Sequence, residues 1–130
     1  NKSDIIILPP NCNIDDAIKF DLFINTRSMM EMNFDAISDY FKFIQHYISE
    51  NGYFLNINRY EKCSVGQPIR ISEYPYDQDW HVLRSGASPA QKHIRFLLTQ
   101  RTNVPEKKNI HQHLQEIDKF IKSNPSLKVP

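Results

Sequence analysis

One hundred and thirty residues with a mass of 15.3 kDa suffice for one domain. Sixteen Lys and Arg against fifteen Asp and Glu leave a formal charge of +1, without the one-signed surplus that a nucleic-acid or anionic-membrane partner calls for. At 40% hydrophobic and 24% charged the chain has a globular rather than a disordered composition, and its two cysteines, Cys12 and Cys63, exclude a disulfide scaffold and leave a structural zinc site short of ligands.

Asp4-Ile-Ile-Ile-Leu8, stopped by Pro9-Pro10, reads as a short strand covered on both faces. It contains the longest apolar run, far below the ~20 residues that span a bilayer, so no membrane span is expected. The sequence opens at Asn1 with no methionine and no basic-then-apolar leader, which points to a processed product or a piece of a longer chain. Asn13 is placed to cap one turn over Ile14–Lys19. Asp21–Asn25 is a second apolar strand that ends abruptly in Asn25-Thr26-Arg27-Ser28.

Phe34, Ile37, Phe41, Ile44 and Ile48 then recur at helical spacing, with Asn33 as cap, Asp35 at the positive end of the dipole and Asn51-Gly52 as the expected stop. Tyr53–Asn58 resumes as a strand ending in Arg59-Tyr60. Strand, helix and strand form a βαβ unit, which implies parallel pairing. Gln67–Tyr74 and Trp80–Arg84 read as short strands, separated by an aromatic-acidic loop. Ser88-Pro89 has a capping-box spacing with little room for a helix. His93–Gln100 is a further strand, Thr102–Lys108 a polar linker, and Asn109 caps a last amphipathic helix that stops at Asn124-Pro125. The whole reads as one α/β domain with a core over about residues 4–101 and a helix over about 109–123.

In an open parallel sheet, ligands bind beyond the carboxyl ends of the strands. Two strands here end in amides and arginine, Asn25-Thr26-Arg27 and Asn58-Arg59-Tyr60, which suits a polar, partly anionic ligand. Tyr74, Tyr76 and Trp80 interleave with Glu73, Asp77 and Asp79. Rings can stack on a sugar while carboxylates accept from its hydroxyls, and His81 or an aspartate is a candidate general base. The bland alternative is that the rings finish the core and His81 is an ordinary strand histidine. Asp77, Asp79 and His81 alternate, yet two carboxylates and one imidazole in a loop make a poor ligand set, and no metal is expected. His111 and His113 are expected in solvent, and Met29, Met30 and Met32 in packing.

Four stretches carry a resemblance: Asp21–Met32 (DLFINTRSMMEM), Ile48–Tyr60 (ISENGYFLNINRY), Ile69–Leu83 (IRISEYPYDQDWHVL) and Ile94–Arg101 (IRFLLTQR). Together they resemble the sugar O-methyltransferases of bacterial polysaccharide clusters, S-adenosylmethionine-dependent enzymes with a Rossmann-like fold. The likeness implies that Asp21–Asn25 is the fourth strand of that fold, Tyr53–Asn58 the fifth, and the later segments its closing antiparallel pair. It further implies that Asn25, Thr26 and Arg27 lie beside the methionine part of the cofactor. Arg59, Tyr60, Tyr74, Tyr76 and Trp80 would contact a sugar or glycan acceptor, and His81, Asp77 or Asp79 would act as base. The enzyme would be cytoplasmic.

The family's glycine-rich turn is absent: the only glycines are Gly52, Gly66 and Gly86, 14 and 20 residues apart. On that alignment Asp4–Leu8 is the third strand, the first two are missing, and the chain is the carboxyl-terminal half of a methyltransferase. Such a half is expected to be inactive and to bind the cofactor weakly or not at all when alone. The fold's usual order sets the first strand beside the fourth. Asp21–Asn25 is therefore expected to have an open edge and an uncovered face, and to self-associate or to pair with Asp4–Leu8. Two further readings remain open: a non-enzymatic carbohydrate- or partner-binding α/β module built on the Tyr74–Trp80 loop, and another nucleotide-binding enzyme with Arg27 and Arg59 on phosphates.

Overall fold

The computed structural model describes residues 7, 9, 12–63, 66–104 and 108–129, the last two by their backbone alone. The expected strand Asp4–Leu8 lies outside them apart from Ile7. Chain order is β1 (Phe20–Thr26), α1 (Phe34–Tyr47), β2 (Ile48–Arg59), β3 (Glu61–Lys62), β4 (Ile69–Arg70), β5 (Trp80–Ala87), β6 (Ile94–Arg101), α2 (Ile110–Ser123) and β7 (Lys128–Val129). The main sheet has the order β1-β2-β6-β5. Strands β1 and β2 are parallel, and β6 runs antiparallel to both neighbours, so β5 points the same way as β1 and β2. The fold is α/β with a mixed sheet, a parallel βαβ unit followed by an antiparallel pair.

Local chemistry accounts for most element ends. The Asn33 side chain accepts from the N–H of Ala36 at 2.8 Å to open α1, and Asn109 accepts from His111 and Gln112 to open α2. Helix α1 stops at Tyr47, a turn before the expected Asn51-Gly52: Ile48 is already extended and pairs with Phe20. Asn51 does adopt the left-handed conformation, φ 63°, but within the irregular start of β2. The expected turn over Ile14–Lys19 is tighter and is made by Asp15, whose side chain accepts from Ala17. Of the expected strand Gln67–Tyr74 only Ile69–Arg70 is extended. Ile71–Glu73 is a 3-10 turn, because the Glu73 carboxylate reaches back to the Arg70 N–H at 3.0 Å. A small second sheet, β4-β3-β7, joins the strand pair β3–β4 to the end of the chain.

Register assigns the side chains to faces, since paired residues share a face and neighbours alternate. One face carries Phe23, Phe54, Leu97, Trp80 and Val82, and both helices pack on it. Phe41 of α1 lies edge-on to Phe54, Tyr74 and Tyr76, with centroids 5.7, 5.9 and 4.7 Å away. From α2, Ile110, Leu114, Ile117 and Ile121 enter the same core. His113 is buried there as well, contrary to the expectation of a solvated residue, because it falls on the inward stripe of α2 with Ile110, Leu114 and Ile117.

The other face carries Leu22, Ile24, Leu55, Ile57, Phe96 and Leu98. No helix among the described residues packs on it. Leu22, Ile24 and Tyr53 stay 53, 59 and 41% exposed. The outer edge of β1 is also unpaired among the described residues. Among the described residues the open edge and uncovered face fall on β1, where the resemblance led us to expect them; the other expected partner, Asp4–Leu8, lies outside those residues apart from Ile7.

Candidate functional site

Within the carboxyl-terminal ends of β1 and β2 the chain builds a ladder of asparagines. Asn58 donates to Asn25 at 3.0 Å and to Asn56, and its oxygen accepts from the N–H of Met30 at 3.0 Å. Asn25 accepts also from Met29 N–H at 3.2 Å and donates to Ser28 at 2.6 Å; Asn56 donates to the Tyr76 hydroxyl at 3.2 Å. Asn56 and Asn58 are fully buried. Unpaired amides at such depth would be costly, so the ladder fixes where Met29 and Met30 enter the core. It also sets the turn before them: Arg27 takes the left-handed conformation, φ 60°, with its N–H donating to Ile57 at 2.7 Å. Of the three residues expected beside a cofactor, Asn25 thus faces inward into the ladder, while Thr26 and Arg27 are exposed at the strand end.

Arg59 and Tyr60 end β2 at the same edge. Tyr60 is buried, its hydroxyl accepts from Arg95 at 2.9 Å, and the Arg95 guanidinium lies over its ring at 5.4 Å. Arg95 also donates to Ser85 at 2.8 Å. The sequence reading missed Arg95 and Ser85. Their alternation within β6 and β5 offered no signal beyond an ordinary polar strand position.

Of the aromatic-acidic segment, the Tyr76 hydroxyl reaches this ladder at Asn56, and its acidic end and His81 lie elsewhere. Trp80 pairs with Arg101, and Gln100 with Tyr53, at the amino-terminal end of β2. Arg59 lies six steps along β2 from Tyr53, about 20 Å at ~3.3 Å per residue. Asp77, Asp79 and His81 therefore stand across the sheet from Thr26 and Arg27, not beside them.

The rings are also spent. Trp80 is wholly buried and Tyr74 and Tyr76 are 3% exposed, so their faces belong to the core and form no open platform for a sugar. Burial pushes both tyrosine hydroxyls well above the ordinary range. Gln45 accepts from the Trp80 indole at 3.1 Å and from the Asp77 N–H at 3.0 Å. Arg101 lies over the Trp80 ring at 5.2 Å, pairs with Asp77 and reaches Asp79 at 3.7 Å. The Nδ1 of His81 accepts from the Lys108 N–H at 2.7 Å, so the neutral ring keeps its proton on Nε2 and offers a donor there. These contacts tie the segment to α1, to the end of β6 and to the stretch before α2.

An open cleft of about 650 Å³ runs between the Ile71–Tyr76 segment and α2, over Pro75 and Leu114 and between Arg70, Glu73, Asp118 and Lys122. A hydrogen bond from Lys122, at 2.6 Å, holds the Asp118 carboxyl below its usual range. Arg70 is tied to Glu61 and, at 3.6 Å, to Glu73, and the Glu61 bond raises its already high pKa.

Among the described residues no three His, Cys, Asp or Glu side chains come together as metal ligands, and no helix is long and apolar enough to cross a membrane. No glycine forms a cradle at a carboxyl strand end. A Cβ on Gly52 would meet Ile48 at 2.9 Å, Gly86 lies under the Phe96 ring, and Gly66 sits in open space at φ 105°. The residues present do not fit the adenosine half of S-adenosylmethionine. No protein-family model matches the chain, and no curated protein matches it.

Proposed function

We propose that this chain is the carboxyl-terminal part of an S-adenosylmethionine-dependent O-methyltransferase that modifies a sugar hydroxyl in surface-polysaccharide synthesis, and that alone it neither binds the cofactor nor transfers a methyl group. The observation that supports the reading is the strand order β1-β2-β6-β5 with β6 antiparallel. The resemblance calls for parallel fourth and fifth strands and then a closing antiparallel pair on these same segments. The uncovered face and open edge fall on the side where the missing strands and their helices belong. On this reading Thr26 and Arg27 flank the ligand crevice and Asn25 braces the turn that carries them. Asp77, Asp79 and His81 stand at the far end and drop out as bases; the two aspartates hold Arg101 over Trp80, and His81 accepts from the Lys108 N–H.

The test joins the chain to the segment encoded before it. Calorimetry is expected to show S-adenosylmethionine binding by the joined protein and none by the 130 residues alone, with labelled methyl transfer to a sugar nucleotide or glycan by the joined protein only. Low-micromolar cofactor binding by the chain alone, or none by the joined protein, overturns the reading. The cleft along α2 favours a second reading, a carbohydrate-binding module without a cofactor. Oligosaccharide binding lost on Asp118→Ala, in a chain that is whole as it stands, selects it.

A further inference from the structure

Strand β1 is seven residues long and pairs with β2 on one side, so the backbone N–H and C=O of every second residue point to an edge that no described residue pairs. Folded proteins guard such edges with proline, lysine or a bulge in the edge strand itself. The sequence FDLFINT contains neither proline nor lysine. The irregularity in the β1–β2 pairing consists of extra residues in β2, between Ile48 and Tyr53. Asp21, the one charge on β1, accepts from Ser49 of β2 at 2.8 Å, and Lys19 just before the strand donates to the His46 carbonyl at 2.7 Å. Leu22 and Ile24, meanwhile, stand exposed beside the open edge.

We propose that the chain forms a two-fold dimer in which β1 pairs antiparallel with β1 of a second copy, centred on Phe23. The sequence of β1 is self-complementary in that register. Leu22 of each copy falls opposite Ile24 of the other, Asp21 opposite Asn25, Phe20 opposite Thr26, and Phe23 opposite itself. At the centre of the uncovered face Leu22 meets Ile24 twice, the one apolar–polar pair, Phe20 with Thr26, falls at the ends of the ladder, and the only charge meets an amide, so no like charges oppose. Sliding the centre to Ile24 shortens the ladder and sets Leu22 against Thr26. The contact is isologous, closes on itself, and makes one continuous sheet of four strands from each copy. It does not rest on the functional reading, and because it concerns these 130 residues without cofactor, its failure leaves that reading untouched.

Sedimentation equilibrium of the chain is expected to give twice 15.3 kDa. Leu22→Lys and Ile24→Glu, each alone, are expected to halve that mass, because each sets a charge against an apolar side chain across the two-fold axis. Both positions are exposed, so circular dichroism should show each variant folded. Mixing the two variants is expected to recover the dimer, because the introduced lysine then lies opposite the introduced glutamate. In the unaltered chain, hydrogen exchange of β1 amides is expected to slow as concentration rises. A wild-type monomer with concentration-independent exchange, a dimer that survives both single changes, or variants that fail to recover the dimer when mixed overturns the proposal.

Discussion

Phe54 and Leu55 are neighbours on β2, yet they live in different surroundings. Phe54 is wholly buried and touches the rings of Phe41, Tyr76 and Trp80. Leu55 shares its face with Leu22 and Ile24, over which no described helix packs. Both faces are written in apolar residues, the pattern of a sheet meant to be covered twice, and one of them is filled. Stability in this chain should therefore come almost wholly from one side of the sheet, and association from the other.

The largest effect should follow from emptying the filled side. Phe41→Ala removes a fully buried ring that meets Phe54, Tyr74 and Tyr76, and should lower stability by about 3–5 kcal/mol in urea unfolding. A loss near that of a surface change would mean that the core does not close there. Asn58→Leu comes next. It keeps the volume but strips partners from Met30 N–H, Asn25 and Asn56, for a loss of about 2–3 kcal/mol. The same variant should loosen the Arg27–Glu31 turn, read as faster amide exchange at Met29 and Met30.

The βαβ unit was legible because helix and strand periods differ and because Asn33 and Asn109 have no other job than capping. The open edge was legible from the resemblance and the missing glycine turn. The asparagine ladder was half legible: strand-end amides announce a polar cluster, but nothing in a sequence says whether they face a ligand or one another. The segment Tyr74–His81 was misplaced for a geometric reason. Its composition suits a sugar site, while its position depends on where the crossover from β2 ends. Ile71–Asp79 returns along the packed face to the amino-terminal end of β2, so the rings are consumed as core on the way.

A smaller effect comes from His113 on the filled side. Burial lowers its pKa, against the Glu116 hydrogen bond at 3.1 Å, and Lys108 and Arg95 push the same way. The fold therefore prefers the neutral ring, whereas the unfolded chain takes up a proton near pH ~6.5. Stability should be full above that value and fall as pH drops from about 6.5 through the lowered folded value, because the unfolded state then binds more protons. In His113→Leu the urea midpoint should change less between about pH 7.5 and about pH 5.5 than in the unaltered chain. An equal change in both would take His113 out of the account.

The smallest effect belongs to the bare face, and it bears hardest on the comparison. Ile24→Ala deletes as much apolar surface as many core truncations, but Ile24 is 59% exposed, so folding removes little of that surface from water. The cost should stay within about 0.5 kcal/mol when unfolding is followed at concentrations low enough that the chain is a monomer. At higher concentration the gap between Ile24→Ala and the unaltered chain should widen, since a strand edge that pairs with a second copy adds concentration-dependent stability to the folded state alone. A cost of several kcal/mol at high dilution would mean that something within the chain covers β1, and the two faces would then no longer differ.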